Sequence, residues 1–98
     1  MKINFDQALK ALDGQPIMNE TQQVTLKTVT VNSLLALFQD EQNLSGEEKA
    51  KRYVLATRIY ANPDIDLVAE EIALIKKLIG KMYAPLIVGQ CFNILDSR

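Results

Sequence analysis

The chain has 98 residues, enough for one small domain and not for two. Hydrophobic residues make up 48% and charged residues 23%, a balance too apolar for a disordered tail. Eleven basic against twelve acidic side chains leave a net charge of −1, which argues against a protein built mainly around phosphate backbone, since that needs a clustered positive field.

There is no histidine, so His-based triads, His-ligated zinc and the commonest general base are excluded. Cys91 is the one cysteine. It allows no internal disulfide and fits a reducing compartment. Its neighbours Val88, Phe92 and Leu95 point to an inert core thiol rather than a nucleophile. No apolar run approaches the roughly 20 residues of a membrane span. The start "MKINFDQALK" lacks the apolar stretch of a signal peptide. The expectation is a cytoplasmic protein without a membrane partner.

Along the chain, Ile3 and Phe5 alternate with polar neighbours, the period-two pattern of a half-buried strand. Asp13-Gly14 is a strong turn pair, and Pro16 behind it suits an edge position. A small N-terminal hairpin is predicted, with a helical turn over "DQALKAL" as the alternative. Residues 25–31 are ambiguous between helix and strand, because Thr28 to Val31 are all β-branched. Leu26, Val29, Leu34, Leu37 and Phe38 nevertheless recur at helical spacing behind Thr25, a usable N-cap. The period predicts a central helix from about Leu26 to Gln39.

Ser45-Gly-Glu-Glu48 reads as a capping box, followed by Glu47–Lys51 and Glu48–Arg52 at the favourable i,i+4 spacing. Asn62-Pro63 ends this helix. Ala50, Tyr53, Val54, Thr57, Tyr60 and Ala61 share one stripe, read as the core face. Leu55 and Ile59 fall on the other side among Lys51, Arg52 and Arg58, and are read as an interface patch.

Asp66 is expected to cap a further helix reaching about Gly80. Its apolar residues Leu67, Ile72, Leu74, Ile75, Leu78, Ile79 and Met82 span roughly 160° of the wheel, wider than a surface helix needs. Ala69, Ala73 and Gly80 leave its far side small enough for a close neighbour. A last helix begins near Ala84 with Pro85 at its first position. Ile87, Val88, Cys91, Phe92, Ile94 and Leu95 give it a similar arc, so the two pair as an αα-hairpin. The predicted fold is α+β and mostly α: a short N-terminal β-hairpin packed on about four helices, in one domain over residues 1–98.

Chemistry is scarce. Asp64 and Asp66 resemble half of a metal site, but the further oxygen ligands and the turn Gly of a calcium loop are missing. Glu70 and Glu71 are adjacent and point to different faces, so they form no dyad. Gly14, Gly46, Gly80 and Gly89 are scattered and build no phosphate loop. No catalytic residue, metal site or cofactor is expected. Lys51, Arg52 and Arg58 (with Lys49) on one helix and Lys76, Lys77 and Lys81 on the next could form a cationic face, with Tyr53 or Tyr60 stacking on bases. Glu47, Glu48, Glu70 and Glu71 on the same helices oppose that reading.

The stretches "MKINFDQALKALDGQPI", "TLKTVTVNSLLAL" and "EEIALIKKLIGKMYAPLIVGQCFNILD" together resemble a group of small proteins from tailed bacteriophages and prophages. The resemblance implies a setting, the bacterial host cytoplasm, and assigns no activity or functional residue. The function expected is non-enzymatic: contact with itself as a homo-oligomer, or with a host or phage protein as an adaptor. Leu55, Ile59 and Tyr83 are the expected contact residues, with Phe92 divided between core and contact. A nucleic-acid-binding regulator is the alternative.

Overall fold

The computed structural model describes residues 2–41, 43–62 and 64–96. The expected mostly helical α+β architecture is present, but its first strand finds a more distant partner than local pattern suggests. Strand β1 (Lys2–Asn4) pairs antiparallel with β4 (Asp64–Asp66), setting Ile3 opposite Ile65. Both isoleucines are buried while their polar neighbours face out, as period-two alternation requires.

The Asp13-Gly14 reversal forms at smaller scale. Gly14 adopts φ +87°, its N–H donates to the Ala11 carbonyl at 2.9 Å, and Lys10 bridges Pro16. A second short pair, β2 (Met18–Asn19) and β3 (Gln22–Gln23), turns through Glu20 at φ 59°. The N–H groups of Leu9, Ile17 and Val24 donate to the carbonyls of Val24, Leu9 and Ile17 in turn, stitching three passes together.

Helix α1 (Leu26–Leu35) begins where expected, with Thr25 Oγ1 accepting the Thr28 N–H at 3.2 Å. The helical period prevails over the β-branched run, but the helix stops four residues early, where Ala36 turns extended. Two of its open first-turn donors, Leu26 and Lys27, reach the carbonyls of Gln7 and Phe5. The N-terminal segment is thereby tied under α1, with Phe5 and Leu9 fully buried.

A 3-10 turn (Gln39–Glu41) leads to α2 (Gly46–Ala61), whose Ser45 hydroxyl accepts the Glu48 N–H at 3.1 Å. Asn62 closes α2 by donating its N–H to the Arg58 carbonyl; Pro63, expected as the stop, lies outside the described residues. The expected capping Asp66 sits in β4 instead. Helix α3 (Ala69–Met82) starts after Val68, whose N–H donates to the Glu71 carboxylate at 3.0 Å. Helix α4 (Pro85–Asp96) follows with Pro85 first, forming the expected αα-hairpin with α3. Helix α1 packs against both α2 and α3. Ile72, Ile75, Leu78 and Ile79 of α3 and Cys91 and Leu95 of α4 enter the core, whereas Ala69 and Ala73 face solvent and Gly80, though exposed, lies beside the Phe92 ring of α4.

The orientation of α2 corrects the sequence reading. Leu55, Ala56 and Ile59 are buried together with Arg52, while Tyr53 and Tyr60 are 61% and 69% exposed. The stripe read as core is outside, and Leu55 and Ile59 are core residues rather than interface anchors. The two stripes are comparably apolar, and the charge of Arg52 made its own face look external. Arg52 can be inside because it brings a partner, described below. Ile59→Ala should therefore cost about 2–5 kcal/mol in urea unfolding, whereas Tyr60→Ala, measured on the dilute single subunit, should stay within about 0.5 kcal/mol.

Candidate contact surface

One ion pair ties the 3-10 turn after α1 to α2. Arg52 Nη1 and Nη2 donate to Glu41 Oε1 and Oε2 at 2.8 and 2.7 Å, a two-pronged match of guanidinium to carboxylate. The side chains are only 6% and 10% exposed. Lys81 of α3 approaches the same turn, with Nζ 2.7 Å from Asp40, 3.8 Å from Glu41 and 5.4 Å from the Phe38 ring centroid. The loop between α1 and α2 is thus tied to α2 and α3 at once. The hydrogen bonds from Arg52 hold the Glu41 carboxyl at about 2, well below the ordinary value of 4.5, against the opposing effect of burial. Glu41 in turn raises the pKa of Arg52.

With that loop fixed, the crevice between α1 and α2 opens outward. Val31 and Leu35 of α1 and Tyr53, Ala56, Thr57, Tyr60 and Ala61 of α2 line a groove of about 510 Å³. Leu35 also lines a neighbouring hollow with Leu37, Leu44 and Lys49, and Tyr60 adjoins Lys27, Thr28 and Asn32 at the other end. Leu35 and Leu37 are 56% and 68% exposed. Lys27 Nζ lies 5.3 Å from the Tyr60 ring centroid and 3.5 Å from Asp6. The groove's lining is apolar apart from the hydroxyls of Thr57, Tyr53 and Tyr60. A second groove, between α2 and α3, has Val54, Leu55 and Leu74 in its wall under a rim of mixed charge in which Arg58 holds Glu71 at 2.8 Å.

The other candidates are dispersed. Tyr83 ends α3 half-buried against the core, and Phe92 is half-buried with Lys76 4.9 Å from its ring centroid. Of the six cations proposed for nucleic acid, five are held by carboxylates: Lys51 by Glu48, Arg52 by Glu41, Arg58 by Glu71, Lys76 by Asp96 and Lys81 by Asp40. Cys91 is fully buried, and burial pushes its thiol up to about 11, away from the reactive thiolate. Asp64 and Asp66 flank Ile65 on β4. Among the described residues no three His, Cys, Asp or Glu side chains lie close enough to share a metal ion, and no helix is long and apolar enough to cross a membrane. Tyr53 and Tyr60 share a stripe that the helical period identifies and that the structure places outside the core.

Comparison of this chain with protein-family models, curated proteins and solved structures found no match.

The Arg52–Glu41 pair makes two checkable demands. Glu41→Ala leaves a buried guanidinium uncompensated and should cost about 3–5 kcal/mol in urea unfolding, most of which Glu41→Leu with Arg52→Met should recover. The Glu41 carboxyl titrates lower folded than unfolded, so its contribution is complete above the unfolded value of 4.5 and disappears as pH falls toward about 2. Glu41→Gln should flatten the acid-unfolding profile in that window.

Proposed function

We propose that the protein acts without catalysis, by holding a polypeptide helix against the outer face of α1 and α2. The observation that supports this is the outward stripe of α2. Gly46, Ala50, Tyr53, Val54, Thr57, Tyr60 and Ala61 are all exposed and uncharged, and they occupy an arc of about 120° along the whole helix. Surface helices of this length ordinarily carry charge on that side. Two tyrosines joined to exposed leucines give the composition of an interface centre, depleted in charge and rich in aromatic area.

The contact reading of the sequence is kept, and its residues move from Leu55 and Ile59 to Tyr53, Tyr60 and Leu35. The phage resemblance suggests that the partner is a host or phage protein, or the chain itself, in a bacterial cytoplasm. Nucleic acid is a poorer occupant, because only Lys77 of its six cations pairs with no described carboxylate. Placing a photo-cross-linking phenylalanine analogue at position 60 should yield a covalent adduct with a polypeptide in cells. The same analogue at Asn93, exposed on α4, should yield none. Absence of any adduct from positions 53 and 60 would overturn the reading.

A further inference from the structure

On α2 the outward residues Gly46, Ala50, Tyr53, Thr57 and Tyr60 follow one another at steps of four, three, four and three. That is the seam along which two helices lie side by side. Within the subunit α2 packs through Arg52, Leu55, Ala56 and Ile59, so this second seam faces solvent. We propose that a second copy of the chain covers it, α2 running antiparallel to α2 about a two-fold axis between Tyr53 and Thr57. The proposal rests on the contact reading above and names its partner.

The sizes along the seam support this pairing. The axis sets Tyr53 of one copy in the layer of Thr57 of the other, and Tyr60 in the layer of Ala50. Each ring then meets a small residue, and every layer occurs twice, as an isologous interface requires. Parallel helices would stack tyrosine on tyrosine and Ala50 on Ala50, leaving gaps that a packed interface does not tolerate. Antiparallel helices also set opposite dipole ends together.

The available surface is of the right size. Tyr53, Val54, Tyr60, Leu35 and Leu37 are each more than half exposed, and together they present on the order of 600 Å². A stable interface of standard size buries about 800 Å² per partner, and Ala50, Thr57, Ala61 and Val31 adjoin this patch to supply the rest. A lone subunit rarely leaves so large an apolar patch without use.

Charge separates this occupant from others. The antiparallel pairing brings Lys49 alongside Tyr60 of the other copy, where Lys27 already sits over the ring. Lys27 is also 3.5 Å from Asp6 and the opposite edge carries Glu47 and Arg58, so the rim is mixed in charge. An apolar centre of this kind should hold its affinity as salt rises, whereas an acidic helical partner would bind less tightly.

Sedimentation of the full chain at about 50 mM and about 500 mM salt tests this. A dimer in the micromolar range that does not loosen with salt is expected, and Tyr60→Asp should weaken it at least about 100-fold with helical circular dichroism unchanged. Oxidation should link Tyr53→Cys/Thr57→Cys chains into dimers and leave Thr57→Cys chains unlinked, the native Cys91 being buried. A monomer at about 100 µM in both salts, a dimer indifferent to Tyr60→Asp, or linkage of Thr57→Cys alone would each overturn the proposed pairing. If the chain is monomeric while the cross-linker at position 60 still captures another polypeptide, the self-pairing fails and the contact function stands.

Discussion

The bidentate pair between Arg52 and Glu41 is the constraint from which the arrangement of this protein follows. A guanidinium nearly out of water needs a carboxylate in a fixed position, and the 3-10 turn supplies it. Once they are joined, α2 can turn only the face containing Arg52 inward, and Leu55, Ala56 and Ile59 follow it into the core. Lys81 reaches the same turn from α3, so the loop after α1 serves as a junction for three helices. The junction is incomplete in one respect: Arg52 Nε has no hydrogen-bond partner among the described residues. A purely apolar substitute could be at least as stable, and what the ion pair adds is a choice of which side of α2 is the inside.

That choice has a consequence at the surface. Helix α2 carries two stripes able to form a helix contact, and a subunit of this size can use one. The stripe left outside is the more aromatic and the less charged of the two. It lies beside Leu35 and Leu37, where α1 ends and the chain becomes extended. Leu35, Leu37, Tyr53, Val54 and Tyr60 thus make up half of the exposed large hydrophobics among the described residues; Met18, Val68, Met82 and Leu86 lie elsewhere, as does Leu12 at the tip of the N-terminal turn. The turn itself is fixed against α4, because the Gln90 carboxamide both accepts the Lys10 N–H and donates to the Lys10 carbonyl.

Local signals were legible wherever the chemistry is local. Thr25 and Ser45 cap the helices they were expected to cap, and Pro85 opens α4, since each acts on amides within three residues of itself. The αα-hairpin of α3 and α4 was equally plain, because their wide apolar arcs are joined by only two residues. Asp66 misled because a capping residue and an edge-strand residue share the same polarity; its pairing with Lys2 across the chain decided the matter. The union of β1 with β4 was invisible for the same reason, since no local pattern names a partner more than sixty residues away.

The sequence by itself determined the number, type and approximate limits of the helices, the absence of histidine chemistry, and the presence of more apolar helical surface than one stripe per helix requires. Only the tertiary structure decided which surface that is. Helical periodicity fixes which side chains share a face but leaves the rotation of the helix about its own axis open. For α2 that rotation is set by Glu41, eleven residues away, which makes a buried arginine possible and turns Tyr53 and Tyr60 toward whatever lies outside.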